Sequence, residues 1–381
     1  MRTSIAIAVG FLALAGLTAC SGGADTPAAS PGAAKSSAGG PITVAASDTE
    51  CKVATTEVAA GTSTFTITNG GSKVTEFYVY AAGDRVMGEV ENIVPGLTRE
   101  VIVELPAGVY ETVCKPGMTG KGIRGPLKVT GEHKPLSDDA KLAAATEGYK
   151  RYIKSQSDTL LTKTQEFVDA VKAGDIDKAK ALYPVARTYW ERIEPVAEIF
   201  GDLDPAIDAR ENDLAEGEEW TGFHKIEKDL WVTKDVSKDG PIADKLMTDI
   251  KTIVDKANGA EISPVLLGNG AKGLLDEVAS GKITGEEDRY SHTDLWDFDA
   301  NLQGSKAAVQ ALRPVLEERA PDLVKTLDEK FAATEAELGS HRKGDGWKLH
   351  TELSKDELKK LSDSINALAE PISKIAAVVA K

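Results

Sequence analysis

Between residues 42 and 130 apolar and polar positions alternate in short runs, among them Ile42-Thr43-Val44, Phe65-Thr66-Ile67-Thr68, Phe77-Tyr78-Val79-Tyr80, Val101-Ile102-Val103 and Val109 to Val113. A period of two gives each run one apolar face, the signature of half-buried strands. Asn69-Gly70-Gly71, Ala82-Gly83-Asp84, Pro95-Gly96, Pro106-Ala107-Gly108 and Pro116-Gly117 separate them, and these residues supply the angles that reverse a chain. The pattern predicts a small antiparallel β-sandwich or barrel over residues 42–131.

Beyond Gly131 the period changes. Ser137, Asp138 and Asp139 form a helix start, with a capping oxygen and negative charge at the positive end of the helix. Leu142, Tyr149, Tyr152, Ile153, Leu160 and Leu161 then recur on one helical face. Helix-length units follow at 176–200, 220–232, 242–257, 264–278, 306–319, 323–338 and from 356 to the C-terminus, with Gly or Pro at nearly every junction. All five tryptophans lie in this half, as expected where a larger core is filled. Residues 132–381 are therefore predicted to form an all-α helical bundle.

The N-terminus reads as an address. Arg2 precedes an apolar run, Ile5 to Leu17, that is too short to span a bilayer with ease and suits a signal peptide over residues 1–20. It closes on Leu17-Thr18-Ala19-Cys20, which resembles a bacterial lipobox with Cys20 as the lipidated residue; a plain cleaved signal is the alternative. Residues 21–41 are Gly, Ala, Ser and Pro with little to bury, a flexible tether. These features predict an extracytoplasmic protein held by a lipid anchor, with no transmembrane helix in the mature chain.

Charge narrows the ligand. The 381 residues carry 45 Lys+Arg against 60 Asp+Glu, a net of −15. Counting along the sequence, 8 basic and 10 acidic residues fall in 42–130 (−2), against 35 and 49 after Gly131 (−14). Such a balance repels nucleic acid and anionic lipid and suits a cation.

In Gly222-Phe223-His224-Lys225-Ile226-Glu227 an imidazole and a carboxylate stand three apart, on one helical face, where both can reach one metal ion. Upstream, Tyr189-Trp190-Glu191-Arg192-Ile193-Glu194-Pro195 sets Glu191 and Glu194 three apart. Asp204 and Asp208 follow Phe200, and Asp288, Asp294, Asp297 and Asp299 are interleaved with His292, Leu295, Trp296 and Phe298. Carboxylates among aromatic and aliphatic neighbours are costly to bury unless a cation or a hydrogen-bond network neutralises them. Pairing with Arg187, Arg192, Arg210 or Arg289, or exposure to water, would serve as well. With Cys20 taken by lipid, Cys51 and Cys114 remain; outside the cytoplasm they read as a disulfide, with a thiolate metal site as the alternative. His133, His341 and His350 read as solvated, and His292 as a reserve ligand beside Asp294.

Taken together, Trp-Glu-Arg-Ile-Glu-Pro, Asp-x-x-Ile-Asp-x-Arg, Gly-Phe-His-x-Ile-Glu-x-x-Leu-Trp and Glu-Glu-Asp-Arg-Tyr-Ser-x-Thr-Asp-Leu-Trp-Asp-Phe resemble the imelysin-like helical domain in wording and order. Behind a small β-domain and an export signal, the resemblance implies a cupredoxin-like sandwich followed by an imelysin-like bundle. It further implies an iron-binding component of an uptake system whose partners are an inner-membrane iron permease and a haem peroxidase. The metal ligands it implies are His224, Glu227, Glu191, Glu194, Asp208 and Asp294, with Asp204 and Asp297 competing for the last two places. The metal would be iron, Fe(II) or Fe(III), although zinc or copper suits a similar set. The β-domain departs from a blue-copper site: residues 42–130 contain no histidine, and Cys114-Lys115-Pro116-Gly117-Met118 lacks the intervening one. The resemblance leaves room for a second, unusual site from Cys51, Cys114 and Glu76, near Glu89, Glu91 or Met118. No catalytic residue is assigned. A zinc peptidase would need an open position and a base, as in His-Glu-x-x-His, which is absent; a polysaccharide- or solute-binding lipoprotein is the remaining alternative.

Overall fold

The computed structural model describes residues 40–201, 203–214 and 217–381. The signal peptide, Cys20 and all but the end of the tether lie outside these residues.

Nine strands build the N-terminal part: β1 (Ile42–Ala46), β2 (Cys51–Val53), β3 (Glu57–Ala59), β4 (Gly61–Asn69), β5 (Thr75–Ala81), β6 (Arg85–Ile93), β7 (Thr98–Leu105), β8 (Gly108–Cys114) and β9 (Ile123–Thr130). They form one sheet of order β2-β1-β4-β7 and another of order β3-β9-β8-β5-β6. The two enclose a core that includes Val44, Phe65, Ile67, Phe77, Val79, Val103, Leu105 and Leu127. The sandwich is not purely antiparallel, since β1 runs parallel to β4 and β3 parallel to β9. Alternation predicts faces but not strand direction, and this difference was invisible to it. A disulfide joins Cys51 in β2 to Cys114 in β8, tying one sheet to the other.

The remainder is helical. The long helices are α1 (Ala140–Lys172), α2 (Ile176–Glu191), α6 (Gly240–Asn258), α7 (Pro264–Ser280), α8 (Asp294–Arg319), α9 (Pro321–Gly339) and α10 (Lys355–Ile372). Short ones are α3 (Glu194–Ala197), α4 (Leu203–Asp208), α5 (Phe223–Lys228) and α11 (Ile375–Val379). Asp139, not Ser137, caps α1, accepting from the amides of Lys141 at 2.8 Å and Leu142 at 3.2 Å. Several boundaries differ from the periodic reading, among them that of the unit from 356 onward, which splits into α10 and α11. The predicted unit 176–200 breaks after Glu191, and α8 begins at Asp294, well ahead of 306. Buried polar side chains masked the early start of α8: Asp294, Asp297 and Asn301 occupy core positions of this helix yet read as polar.

The two parts meet along β6, β7 and α7. Arg85 Nη2 donates to the Glu261 carbonyl at 2.9 Å, and Asn269 Nδ2 to the Ile102 carbonyl at 2.8 Å. Glu104 accepts from the Leu136 amide at 2.8 Å, at the junction of the two parts.

Closing a loop of 63 residues removes unfolded-state freedom equivalent to about 4 kcal/mol in the chain-entropy treatment. Unreduced, denatured Cys20→Ser protein should therefore show no free thiols, and reduction should lower the denaturant midpoint of the β-domain. Two free thiols, or an unmoved midpoint, would contradict the cross-link.

Candidate metal centre

Helix α2 lays the floor of the site. Tyr183, Arg187 and Glu191 recur every four residues, so they share one face, and all three are fully buried. Five carboxylates surround the Arg187 guanidinium: Glu191 and Asp208 in close contact, Glu287 at 2.8 Å, Asp288 at 3.3 Å and Asp297 at 3.5 Å. Lys282 adds a second buried cation, in contact with Glu191 Oε2 and 3.4 Å from Glu194 Oε2. Burial opposes both positive charges, but the surrounding acids hold their pKa values well above the ordinary range.

Helix α5 brings in the imidazole. The residue that caps this helix, Gly222, has φ +86°, and a Cβ there would stand 2.1 Å from the Ile207 carbonyl oxygen. Only glycine lets α5 press this closely on α4, and the contact delivers His224 beside Asp208. His224 Nε2 lies 3.4 Å from Asp208 Oδ1 and 3.5 Å from Glu287 Oε1; Nδ1 lies 3.1 Å from Glu227 Oε2 and 3.2 Å from the Tyr183 hydroxyl. Burial and the Arg187 charge oppose protonation of this ring, yet Asp208, Glu227 and Glu287 outweigh them and raise its pKa to about 10. Among the described residues Nε2 finds no hydrogen bond of good geometry. Glu227 is fixed from its other oxygen, which accepts from the amides of Tyr290 at 2.9 Å and Ser291 at 2.7 Å.

The segment between α7 and α8 supplies the rest. Glu287 bridges Arg187, Arg210 (3.2 Å) and His224. Asp288 accepts from the Tyr183 hydroxyl at 2.9 Å and from Thr293; burial pushes its carboxyl up to about 6. On α8, Asp294 Oδ1 accepts from the Asp288 amide at 3.3 Å, while Asp294 Oδ2, Asp297 Oδ1 and Asn301 Oδ1 are buried with no hydrogen-bond partner among the described residues. Burial holds the carboxyls of Asp294, Asp297 and Glu194 well above their usual range.

The six residues anticipated as ligands are thus brought into one buried, acid-rich region, but not around one point. Three groupings place their ligand atoms within 4.8 Å of one another: Asp208–His224–Glu287, His224–Glu227–Asp288 and Glu191–Glu194–Asp208. His224 belongs to two and Asp208 to two, so the groupings are contiguous. Asp294 is in none of them and stands behind Asp288; Asp204 lies apart, and burial followed by the charges of Asp208, Glu91 and Glu277 raises its carboxyl well above normal.

Glu287 and Asp288 were not singled out as ligands beforehand. They sit in a Glu286-Glu287-Asp288 run between helices, where no period distinguishes a pocket-facing acid from a solvated one. From the sequence Arg187 reads only as a neutralising partner, and Lys282 gives no signal. Among the histidines, His341 is buried and not solvated, at 2% exposure between Glu337 and Glu357. His133 lies 3.6 Å from Glu104, and His350 faces the Ile283 carbonyl at 3.0 Å. None of these three joins the site, and neither does His292, which has a positive φ and contributes its backbone carbonyl to His350.

In the β-domain the two cysteines are consumed by the disulfide. Glu76 is buried and shares the Tyr78 hydroxyl with Glu91, at 3.0 and 2.8 Å. One phenolic proton cannot serve two carboxylates at once. Burial pushes Glu76 up to about 7 and Glu91 up to about 8.

Comparison with known proteins adds an independent line. The imelysin family model matches residues 145–375, and a cupredoxin-like domain model matches residues 10–129. The "Iron uptake system component EfeO" of Escherichia coli O157:H7 is 39% identical over 347 residues, covering 89% of this chain and 91% of the relative. The proteins of the same description from Escherichia coli K12 and Shigella sonnei Ss046 match with the same identity and coverage.

Two outcomes follow from this geometry. Gly222→Ala forces a positive φ and a backbone clash, and should cost at least about 2 kcal/mol in denaturant unfolding. Gly273→Ala in α7, where a Cβ meets nothing within 4 Å, should cost nothing or stabilise; equal effects would refute the close-approach argument. In the β-domain, acids with raised pKa contribute stability below pH 4.5 that is lost as pH rises through about 7 to 8. Glu91→Gln should therefore gain melting temperature relative to the parent on going from pH 5 to pH 8, whereas a pH-independent difference would show that Glu91 does not titrate with the fold.

Proposed function

Because this chain belongs to the imelysin family and is a homologue of EfeO, an iron uptake system component, we propose that it captures iron outside the cytoplasm and hands it to an inner-membrane iron permease. The observation that carries this reading is the buried imidazole of His224 ringed by four carboxylates, Asp208, Glu227, Glu287 and Asp288. Oxygen donors with one imidazole suit Fe(II) and Fe(III). The cargo ion would bind at His224, Glu227 and Asp208, with Glu287 and Asp288 at hand and Glu191, Glu194 and Asp294 lining the region. Arg187 and Lys282 would then keep the acids assembled between loads. Such a scaffold favours reversible loading over a closed cage, as delivery requires.

The chain would be tethered through Cys20 and residues 21–41, and would work beside a haem peroxidase of the same system. Among the described residues, no helix is long and apolar enough to cross a membrane. The geometry gives little support to peptidase chemistry. Glu227 is held by two backbone amides and the imidazole, so it is poorly placed to act as a general base toward water.

Purified protein should bind iron in its helical half, and His224→Ala or Glu227→Gln should each weaken binding at least tenfold. With its pKa near 10, His224 enters the reaction as an imidazolium and must shed one proton to ligate. Anaerobic Fe(II) affinity should therefore rise about tenfold per pH unit between pH 6 and 8, with proton release visible by calorimetry in buffers of different ionisation enthalpy. Unchanged binding in both variants, or pH-independent affinity, would remove His224 from the site.

A further inference from the structure

Lys282 follows α7 directly, on a single helical turn, Lys282–Thr284, flanked by Gly281 and Gly285. Its ammonium contacts Glu191 Oε2 and lies 3.2 Å from Glu277 Oε2 and 3.4 Å from Glu194 Oε2. These carboxylates grade outward, with side-chain exposure of 0% for Glu191, 10% for Glu194 and 18% for Glu277, while Lys282 itself is 5% exposed. Glu277 also lines a cleft between β6 and α7, together with Glu89, Glu91 and Asp276. On the inner side, Glu191 shares Arg187 with Asp208 and Glu287, the two carboxylates beside His224 Nε2. A continuous file of acids thus leads from the cleft to the imidazole, and the Lys282 ammonium stands in it. Asn301, fully buried beside the same ammonium, donates to Glu191 Oε2 at 2.9 Å and Glu194 Oε2 at 3.3 Å, and its Oδ1 has no partner among the described residues.

We propose that Lys282 is a displaceable plug: a metal cation reaches the His224 pocket from the β6–α7 cleft by taking the place of the Lys282 ammonium among Glu277, Glu194 and Glu191. The proposal rests on the metal-binding reading above. The exchange is cation for cation at the same oxygens, so the acids are not left uncompensated while the site is empty. A divalent or trivalent ion carries two or three times the charge of the ammonium at those oxygens, which favours displacement. Lysine suits the role, being a compact charge on a flexible four-carbon stem. Arg187, fully buried and forked onto five carboxylates, stays in place. The cleft beside Glu277, lined also by Glu89 and Glu91, gives the displaced ammonium a destination, Asp276 there being already paired with Lys272.

The test uses the full folded chain, anaerobic Fe(II) and two readouts. In stopped-flow tryptophan fluorescence, reported by Trp190 on Asp208, Lys282→Met should associate with Fe(II) at least tenfold faster than the parent. In the unaltered protein, amine acetylation followed by mass spectrometry should modify Lys282 at least tenfold faster after metal loading, with exposed Lys359 as internal reference. The second readout needs no variant and stands even if Lys282→Met folds poorly. A parent-like association rate together with equal labelling in both states would overturn the plug. Acceleration by Arg210→Met in place of Lys282→Met would overturn it too, by placing the way in on the Glu287 side. Loss of the His224 reading has a separate signature, Fe(II) binding unaffected by His224→Ala.

Discussion

A guanidinium with five carboxylates around it, in a place water does not reach, is the constraint on which the helical half depends. Removing acids from water is strongly unfavourable unless positive charge accompanies them. Arg187 meets that requirement for Glu191, Asp208, Glu287, Asp288 and Asp297, which come from α2, α4, the α7–α8 segment and α8. These elements are far apart in sequence, so the ion cluster acts as a pin through the bundle. Arg187, Lys282 and the His224 imidazolium face more carboxylates than they can neutralise, and that surplus is what would draw a metal ion under the proposed function.

Where burial outweighs the pull of the nearby cations, the surplus is handled by protonation. Burial raises the carboxyls of Asp294, Asp297 and Glu194 far above their solution range, and holds Asp288 at about 6. Glu287, by contrast, sits well below its usual range: burial opposes ionisation, but Lys282, His224, Arg210 and Arg187 outweigh it. One pocket therefore contains an acid held charged, Glu287, beside acids that burial pushes toward the protonated form.

Much of this was legible in the sequence. The β-to-α transition showed in the change of period after Gly131, and the His224–Glu227 spacing put both groups on one face of α5. Glu191 and Glu194 were visible for the same reason, although the chain breaks between them and they belong to α2 and α3. Glu287 and Asp288 were opaque because they lie in irregular backbone, where neither period nor neighbour reveals direction. Lys282 was opaque for a different reason: a lysine after a helix-ending glycine nearly always points to water, and only the acids converging from α2, α3 and α7 make its burial tolerable. Strand direction in the sandwich was likewise beyond a pattern that encodes faces alone.

Under the proposed function one cation is held at the imidazole of the helical half. Anomalous diffraction at the iron absorption edge, from a crystal of the full chain loaded with iron, tests it without any substitution. The account predicts a strong peak within bonding distance of His224 and at least two of Asp208, Glu227, Glu287 and Asp288. A loaded crystal whose iron peaks lie only in the β-domain or on the outer surface, with the His224 pocket unchanged, would contradict it.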